Sequence, residues 1–198
     1  MDATRLLFAA AAASASAAVP AGAAEVWAGV YAHDIEDGLS EGGIERGPQL
    51  AAGVIAAPLE ALSILGRPSP FLTGAVNTQG GTSYASVGLS WRVPMGARAY
   101  LRPALGLGVH DGEIDLPSPY VVGLADVTRQ QRFARGQEEL DLGSRVLAHL
   151  EFAIGWRASN QISIEASWMH LSHGGSAGES NPGLSDLGLR LVYTPKGR

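Results

Sequence analysis

The residues best suited to chemistry lie together near the C-terminus, in WMHLSHGGSAGESNPGLSDL (168–187). His170 and Ser172 stand two apart, His173 follows, and Glu179, Asn181, Ser185 and Asp186 come soon after. A serine hydroxyl is a poor nucleophile until a neighbouring imidazole takes its proton, and acyl transfer also needs donors where the oxyanion develops. Paired histidines could instead ligate a metal, but the strand-to-loop spacing of His170 and His173 is not diagnostic and no third ligand is fixed. A solvated polar loop is the remaining account. The choice depends on the face of the chain from which His170 and Ser172 project.

The elements that must position them are strands. After residue 25 helical periodicity is scarce, while glycine and proline recur between short alternating runs rich in valine, leucine and aromatics. Eight strands are predicted, over 25–33, 48–58, 70–78, 82–93, 97–110, 144–157, 161–172 and 184–194. The connections VPMGA (93–97) and RASN (157–160) are tight, and 58–70 is intermediate. The alternate connections 33–47, 110–143 and 172–183 are long and polar, with NTQGGT (77–82) the short exception. Short periplasmic turns and longer outer loops are the habit of outer-membrane barrels.

Each strand has one apolar face. Val146, Ala148, Leu150, Phe152, Ile154 and Trp156 alternate with Arg145, His149, Glu151 and Arg157, and similar patterns run through 84–93 and 97–109. Alternation does not distinguish inside from outside, so a soluble periplasmic binding barrel remains a rival reading. Trp91, Trp156, Trp168 and Tyr193 near strand ends, and a second face of glycine mixed with charges of both signs, favour an all-β, eight-stranded antiparallel transmembrane β-barrel. Side chains fill so small a barrel, which argues against a porin.

The N-terminus fits that destination. Arg5, an alanine-rich apolar run and small residues ending at Ala23 or Ala24 read as a secretory signal peptide over 1–24, with the barrel occupying 25–198. No later stretch is long and apolar enough for a membrane helix. The chain has 198 residues, no cysteine and a net charge of -5, so disulfides, thiolate zinc sites and a basic nucleic-acid face are excluded.

Period two applied to the site puts Ile162, Ile164, Ala166, Trp168, His170 and Ser172 on the apolar face of strand seven. Residues i and i+2 share a face about 7 Å apart between Cα atoms, so the two side chains can meet. In a membrane barrel they would project toward lipid, which offers polar groups no partner, at the depth of outer-leaflet ester carbonyls. In the last strand, Ser185 falls with Leu187, Leu189, Leu191 and Tyr193 on the lipid side, and Asp186 with Gly188, Arg190 and Val192 toward the lumen.

The segments 77–93, 104–112 and 142–157, and above all His170-Leu171-Ser172 followed by Asn181-Pro182-Gly183-Leu184, resemble the outer-membrane lipid A 3-O-deacylases of the PagL family. The resemblance implies an integral outer-membrane esterase that removes the 3-O-linked acyl chain of lipid A, with Ser172 as nucleophile, His170 as general base and Asn181 as an oxyanion donor. It implies lipopolysaccharide as partner and no cofactor, and a homodimer is compatible with it. Two positions depart from the family pattern. An asparagine usually follows the His-x-Ser, where this chain has His173, which could donate to the oxyanion or be a solvated loop residue. The family acid is a glutamate just after the Gly-aliphatic pair, where this chain has Ser185 and then Asp186. Ser185 is the expected orienter of His170, with Asp186 through a strand bulge, or Glu179 from the loop, as the alternative acid. Arg129, Arg132 and Arg135 in the long loop could meet lipid A phosphates, although solvated loop charge is the simpler account. A non-catalytic adhesin or structural barrel is the rival from another class.

Overall fold

A computed structural model describes residues 23–176 and 181–195. Except for the backbone of Ala23 and Ala24, the leader read in 1–24 lies outside the described residues, as does Glu179. Eight long strands follow one another as β1 (Ala23–Ala32), β2 (Pro48–Ala56), β3 (Ser69–Asn77), β4 (Tyr84–Ser90), β5 (Ala99–His110), β6 (Val146–Arg157), β7 (Ile162–Ser172) and β8 (Leu184–Tyr193). Each pairs antiparallel with the next, and β8 returns to β1 with Val26 opposite Tyr193 and Ala32 opposite Leu187, which closes the ring. A two-residue pairing of Val93–Pro94 with Tyr100 and Leu101 extends the β4–β5 hairpin. The strands lie within a few residues of their expected bounds.

Exposure settles inside from outside. On β6, Phe152, Ile154 and Trp156 are more than half exposed, as are Leu189 and Leu191 on β8, whereas Glu151 and Arg190 are buried. A soluble barrel inverts this order, because water would reject such a continuous apolar wall. Hydrocarbon accepts it, so the wall is the bilayer surface.

The lumen is filled by ion pairs. Glu165 accepts hydrogen bonds from Tyr100 at 2.6 Å, Arg102 at 2.9 Å and Arg190 at 2.6 Å. Arg190 also pairs with Glu151 at 2.6 Å, and Arg102 and Arg92 both pair with Glu25. Tyr100 lies flat against Gly155, whose missing side chain makes room for the ring. Desolvating so many charges is costly, and the array holds because each charge has opposite partners.

The connections at one end are 57–68, 91–98 and 158–161, and those at the other are 33–47, 78–83, 111–145 and 173–183. Two connections carry helical structure not expected from the sequence. A 3-10 turn (Glu60–Leu65) occupies the intermediate connection 57–68, and helix α1 (Asp126–Glu138) forms within 111–145. No residue of α1 is buried, so there was no apolar stripe to betray it. Beneath that segment Leu140 and Leu142 are fully enclosed, capping the barrel.

The long connections are tied together through 33–47, called here the first long loop. His33 lies just beyond β1, with Nδ1 at 2.9 Å from Asp186 and Nε2 at 2.9 Å from Glu45. Both ring nitrogens face carboxylate oxygens, so both carry protons and the ring is an imidazolium. Burial alone would depress its pKa, but the bonds to Asp186 and Glu45 outweigh that and raise it to about 9. Glu45 in turn accepts from the Thr82 amide at 2.5 Å and hydroxyl at 2.9 Å, and from the Leu140 amide at 3.4 Å, joining three loops.

Two outcomes are expected. Glu165→Leu leaves Arg102 and Arg190 short of a buried partner and should destabilise the barrel by about 3–5 kcal/mol, read from its denaturant midpoint in detergent. A histidine with a raised folded pKa contributes stability that is complete below its unfolded value of 6.5 and is lost as pH rises through about 9. The thermal midpoint should therefore fall across that alkaline range in the native protein, and His33→Gln should flatten this dependence.

Candidate active site

The site is built on β7 where it runs beside β8. Alternation along β7 buries Ser163, Glu165, Ser167 and Met169 inside and turns Ile162, Ile164 and Ala166 outward. His170 and Ser172 continue the outward series, yet His170 is only 6% exposed. Its cover comes from the first long loop and from the start of β8.

Ser185 is directly opposite His170 across the β7–β8 ladder, and its hydroxyl oxygen is 2.9 Å from His170 Nδ1. The register between these strands runs unbroken from Leu171 opposite Leu184 to Ile162 opposite Tyr193. No bulge turns Asp186 outward. Asp186 is fully buried in the lumen, where it meets His33, the Asp34 amide at 3.2 Å and Tyr84 Oη at 3.3 Å.

Ring stacking fixes the plane of the imidazole. The Trp168 indole lies over His170 with centroids 6.0 Å apart and planes 6° from parallel, and Phe152 stacks behind it at 6.2 Å. Gly183 closes the other side with φ of 71°. A Cβ there would stand 2.6 Å from His170 Cε1 and 2.8 Å from the Leu39 carbonyl oxygen, so both the backbone twist and the space demand glycine.

Ser172 is half-buried and opposite Ala148, and its hydroxyl has no hydrogen-bond partner among the described residues. Asn181 is drawn across the mouth of the loop by its Oδ1, which accepts the His173 amide at 3.2 Å. His173 itself is buried, and its carbonyl accepts from the Ser176 amide at 2.9 Å and hydroxyl at 2.6 Å. Two contacts thus flank Ser172 along the chain, His170 with Ser185 and the His173 amide with Asn181.

Arg129, Arg132 and Arg135 lie elsewhere, on exposed α1. Arg129 donates to the Leu124 carbonyl at 3.3 Å, Arg132 to the Ser118 carbonyl at 3.0 Å, and Arg135 pairs with Glu139 and Glu113.

One participant was not singled out in the sequence. Asp37, from the first long loop, accepts the Trp168 indole N–H at 2.7 Å through Oδ2. Its Oδ1 accepts the backbone amides of Leu39 at 2.8 Å and Ser40 at 2.9 Å. The aspartate–serine spacing of Asp37 and Ser40 is a turn signal that could have marked the bend, but not its neighbours.

The family model for the lipid A 3-O-deacylases (PagL) matches residues 85–194, more than half of the chain and a range that contains the whole of β6, β7 and β8. Among solved structures, the chain is similar to the outer membrane enzyme PagL, with 14% identity over 87% of this chain and 100% of that one and a TM-score of 0.54. It is also similar to Neisserial surface protein A, at 11% identity over 86% of this chain and 96% of that one, with a TM-score of 0.49. No curated protein matches it. An apolar-walled closed barrel, matched over more than half its length by this family model, belongs to the lipid A 3-O-deacylase (PagL) family of outer-membrane hydrolases.

Proposed function

We propose that the chain hydrolyses the 3-O-linked acyl ester of lipid A by a serine–histidine mechanism at the lipid-facing rim of the barrel. The observation that supports this reading is that His170 and Ser172 continue the outward series of Ile162, Ile164 and Ala166 on β7, where an apolar residue would be expected and a polar pair has no evident structural need. Lipid A would approach sideways from the outer leaflet. A polar cleft of 520 Å³ between the long loops, lined by Glu45, Arg46, Gln79, Asp111 and Glu138, includes neither residue and is a poor match for acyl chains.

With Nδ1 engaged by Ser185, His170 keeps Nε2 for Ser172. Nε2 takes the Ser172 proton as Oγ attacks the ester carbonyl, then returns it to the departing sugar 3-oxygen, leaving an acyl-enzyme. Water, activated by the same nitrogen, releases the fatty acid. The Ser172–His170 bond forms as substrate seats, as catalytic hydrogen bonds commonly do.

Asn181 supplies its amide N–H to the oxyanion, with His173 as the second candidate donor. Ser185 orients His170. The chemistry requires neither metal nor organic cofactor. The self-contained bonding of Arg129, Arg132 and Arg135 supports a role in shaping their loop rather than in gripping lipid phosphate. Residues 1–24 serve as the export leader.

Lipopolysaccharide incubated with the purified protein in detergent should lose one ester-linked hydroxyacyl group, seen by mass spectrometry. Ser172→Ala and His170→Ala should each slow this by at least about 10³-fold while leaving the folded-barrel gel mobility unchanged. Undiminished loss with Ser172→Ala would sink the mechanism.

A further inference from the structure

The long-loop end of the barrel sets an unexpected carboxylate against the site. The first long loop is pinned to the start of β8 by three bonds. The Ile35 amide donates to the Ser185 carbonyl at 2.8 Å, the Glu41 amide to the Pro182 carbonyl at 3.0 Å, and the Ser40 hydroxyl to the Gly183 carbonyl at 3.2 Å. Between these anchors Asp37 is held by the Leu39 and Ser40 amides and by the Trp168 indole, the ring that stacks on His170.

The chemistry of the site leaves a charge to be balanced. When Ser172 attacks, His170 becomes an imidazolium in a wall that faces lipid. The Ser185 hydroxyl can accept the Nδ1 proton bond but carries no charge. Asp186, the nearest carboxylate in sequence, is committed to His33 in the lumen. Among the described residues around His170, β6 presents Leu150, β8 presents Ser185 and Leu187, and the loop after β7 presents His173. Asp37 is the carboxylate bonded to the indole that stacks on the ring.

We propose that Asp37 is the acid of this site, acting through Ser185 as a positioning residue: Nδ1–H of His170 donates to Ser185 Oγ, and Ser185 Oγ–H donates to the Asp37 carboxylate. This rests on the serine–histidine reading above. The relay fixes the tautomer with Nε2 unprotonated, ready for the Ser172 proton, and offsets the imidazolium that follows. No proton moves along it, so the transfer between Ser172, Nε2 and the leaving oxygen remains balanced. Burial pushes the Asp37 carboxyl up, but bonds from the Leu39 amide, the Trp168 indole and the Ser40 amide hold it below the usual carboxylate range. It is therefore charged whenever His170 can act as a base.

The test uses the full chain in detergent with lipopolysaccharide as substrate, comparing the native protein with Asp37→Asn, Ser185→Ala, the double variant and Glu36→Gln. Asp37→Asn should lower kcat by about 10- to 100-fold with KM unchanged, within the range of acid–base contributions. Losing a nearby anion lowers the imidazole pKa, so the acid limb of its pH–rate profile should move to lower pH. Because Asp37 acts through Ser185, the double variant should be no slower than the slower single variant. Glu36→Gln, an exposed loop neighbour, should match the native rate. A native rate and profile in Asp37→Asn would overturn the relay, as would full additivity with Ser185→Ala, which is what a purely structural loop clamp predicts. Either result would leave the serine–histidine reading standing, whereas no deacylation by the native protein would remove both.

Discussion

Hydrocarbon offers no hydrogen bonds, and the rest of this structure follows from that. Every strand must satisfy its backbone in a ladder, so the sheet closes on itself through β1 and β8. Every charge within the membrane must turn inward and find an opposite charge, which explains the Glu25, Arg102, Glu165, Arg190 and Glu151 array. Against that background a histidine and a serine on the outer wall of β7 stand out as costly. The proposed serine–histidine mechanism would give them a use, because the ester of a lipid substrate lies in the same wall of lipid.

The site survives there because it is roofed. The first long loop reaches over the β7–β8 seam and covers His170, while His33 and Glu45 brace its two ends against Asp186, Thr82 and Leu140. One neighbouring pair of residues therefore divides two tasks. Ser185 faces outward and meets the imidazole, and Asp186 faces inward and anchors the loop that shields it. Strand parity separates them, so a slip of one residue in β8 would exchange the two roles.

What was legible in the sequence was periodic. The strand bounds, the apolar faces and the sides taken by His170, Ser172, Ser185 and Asp186 all follow from a period of two. Two features had no such signal. None of helix α1 is buried, so it carries no apolar stripe, and a polar helix reads as a polar loop. Asp37 lies 131 positions from Trp168, and no local pattern discloses which long loop folds over which seam. Nor could alternation alone decide the direction of the apolar face. That required the observation that Glu165 and Arg190 are buried while Leu189 and Leu191 are not.

On the proposed relay, having a hydroxyl where the resemblance implies a strand carboxylate has a physical logic. Position 185 is fully buried against a wall that faces lipid, and an anion there would lose its hydration with few donors to replace it. Asp37 sits at the end of the barrel that carries the long loops, half-buried, with two backbone amides and an indole N–H already aimed at its oxygens. Moving the charge to that loop lowers the cost of keeping it ionised. The Ser185 hydroxyl then carries its influence inward, because it can accept from one neighbour while donating to the other. The coupling is weaker than a direct carboxylate–imidazole contact, since the charge stands one residue further away. It also depends on the first long loop staying down, so the same bonds that hold that loop to β8 also set the basicity of the histidine beneath it.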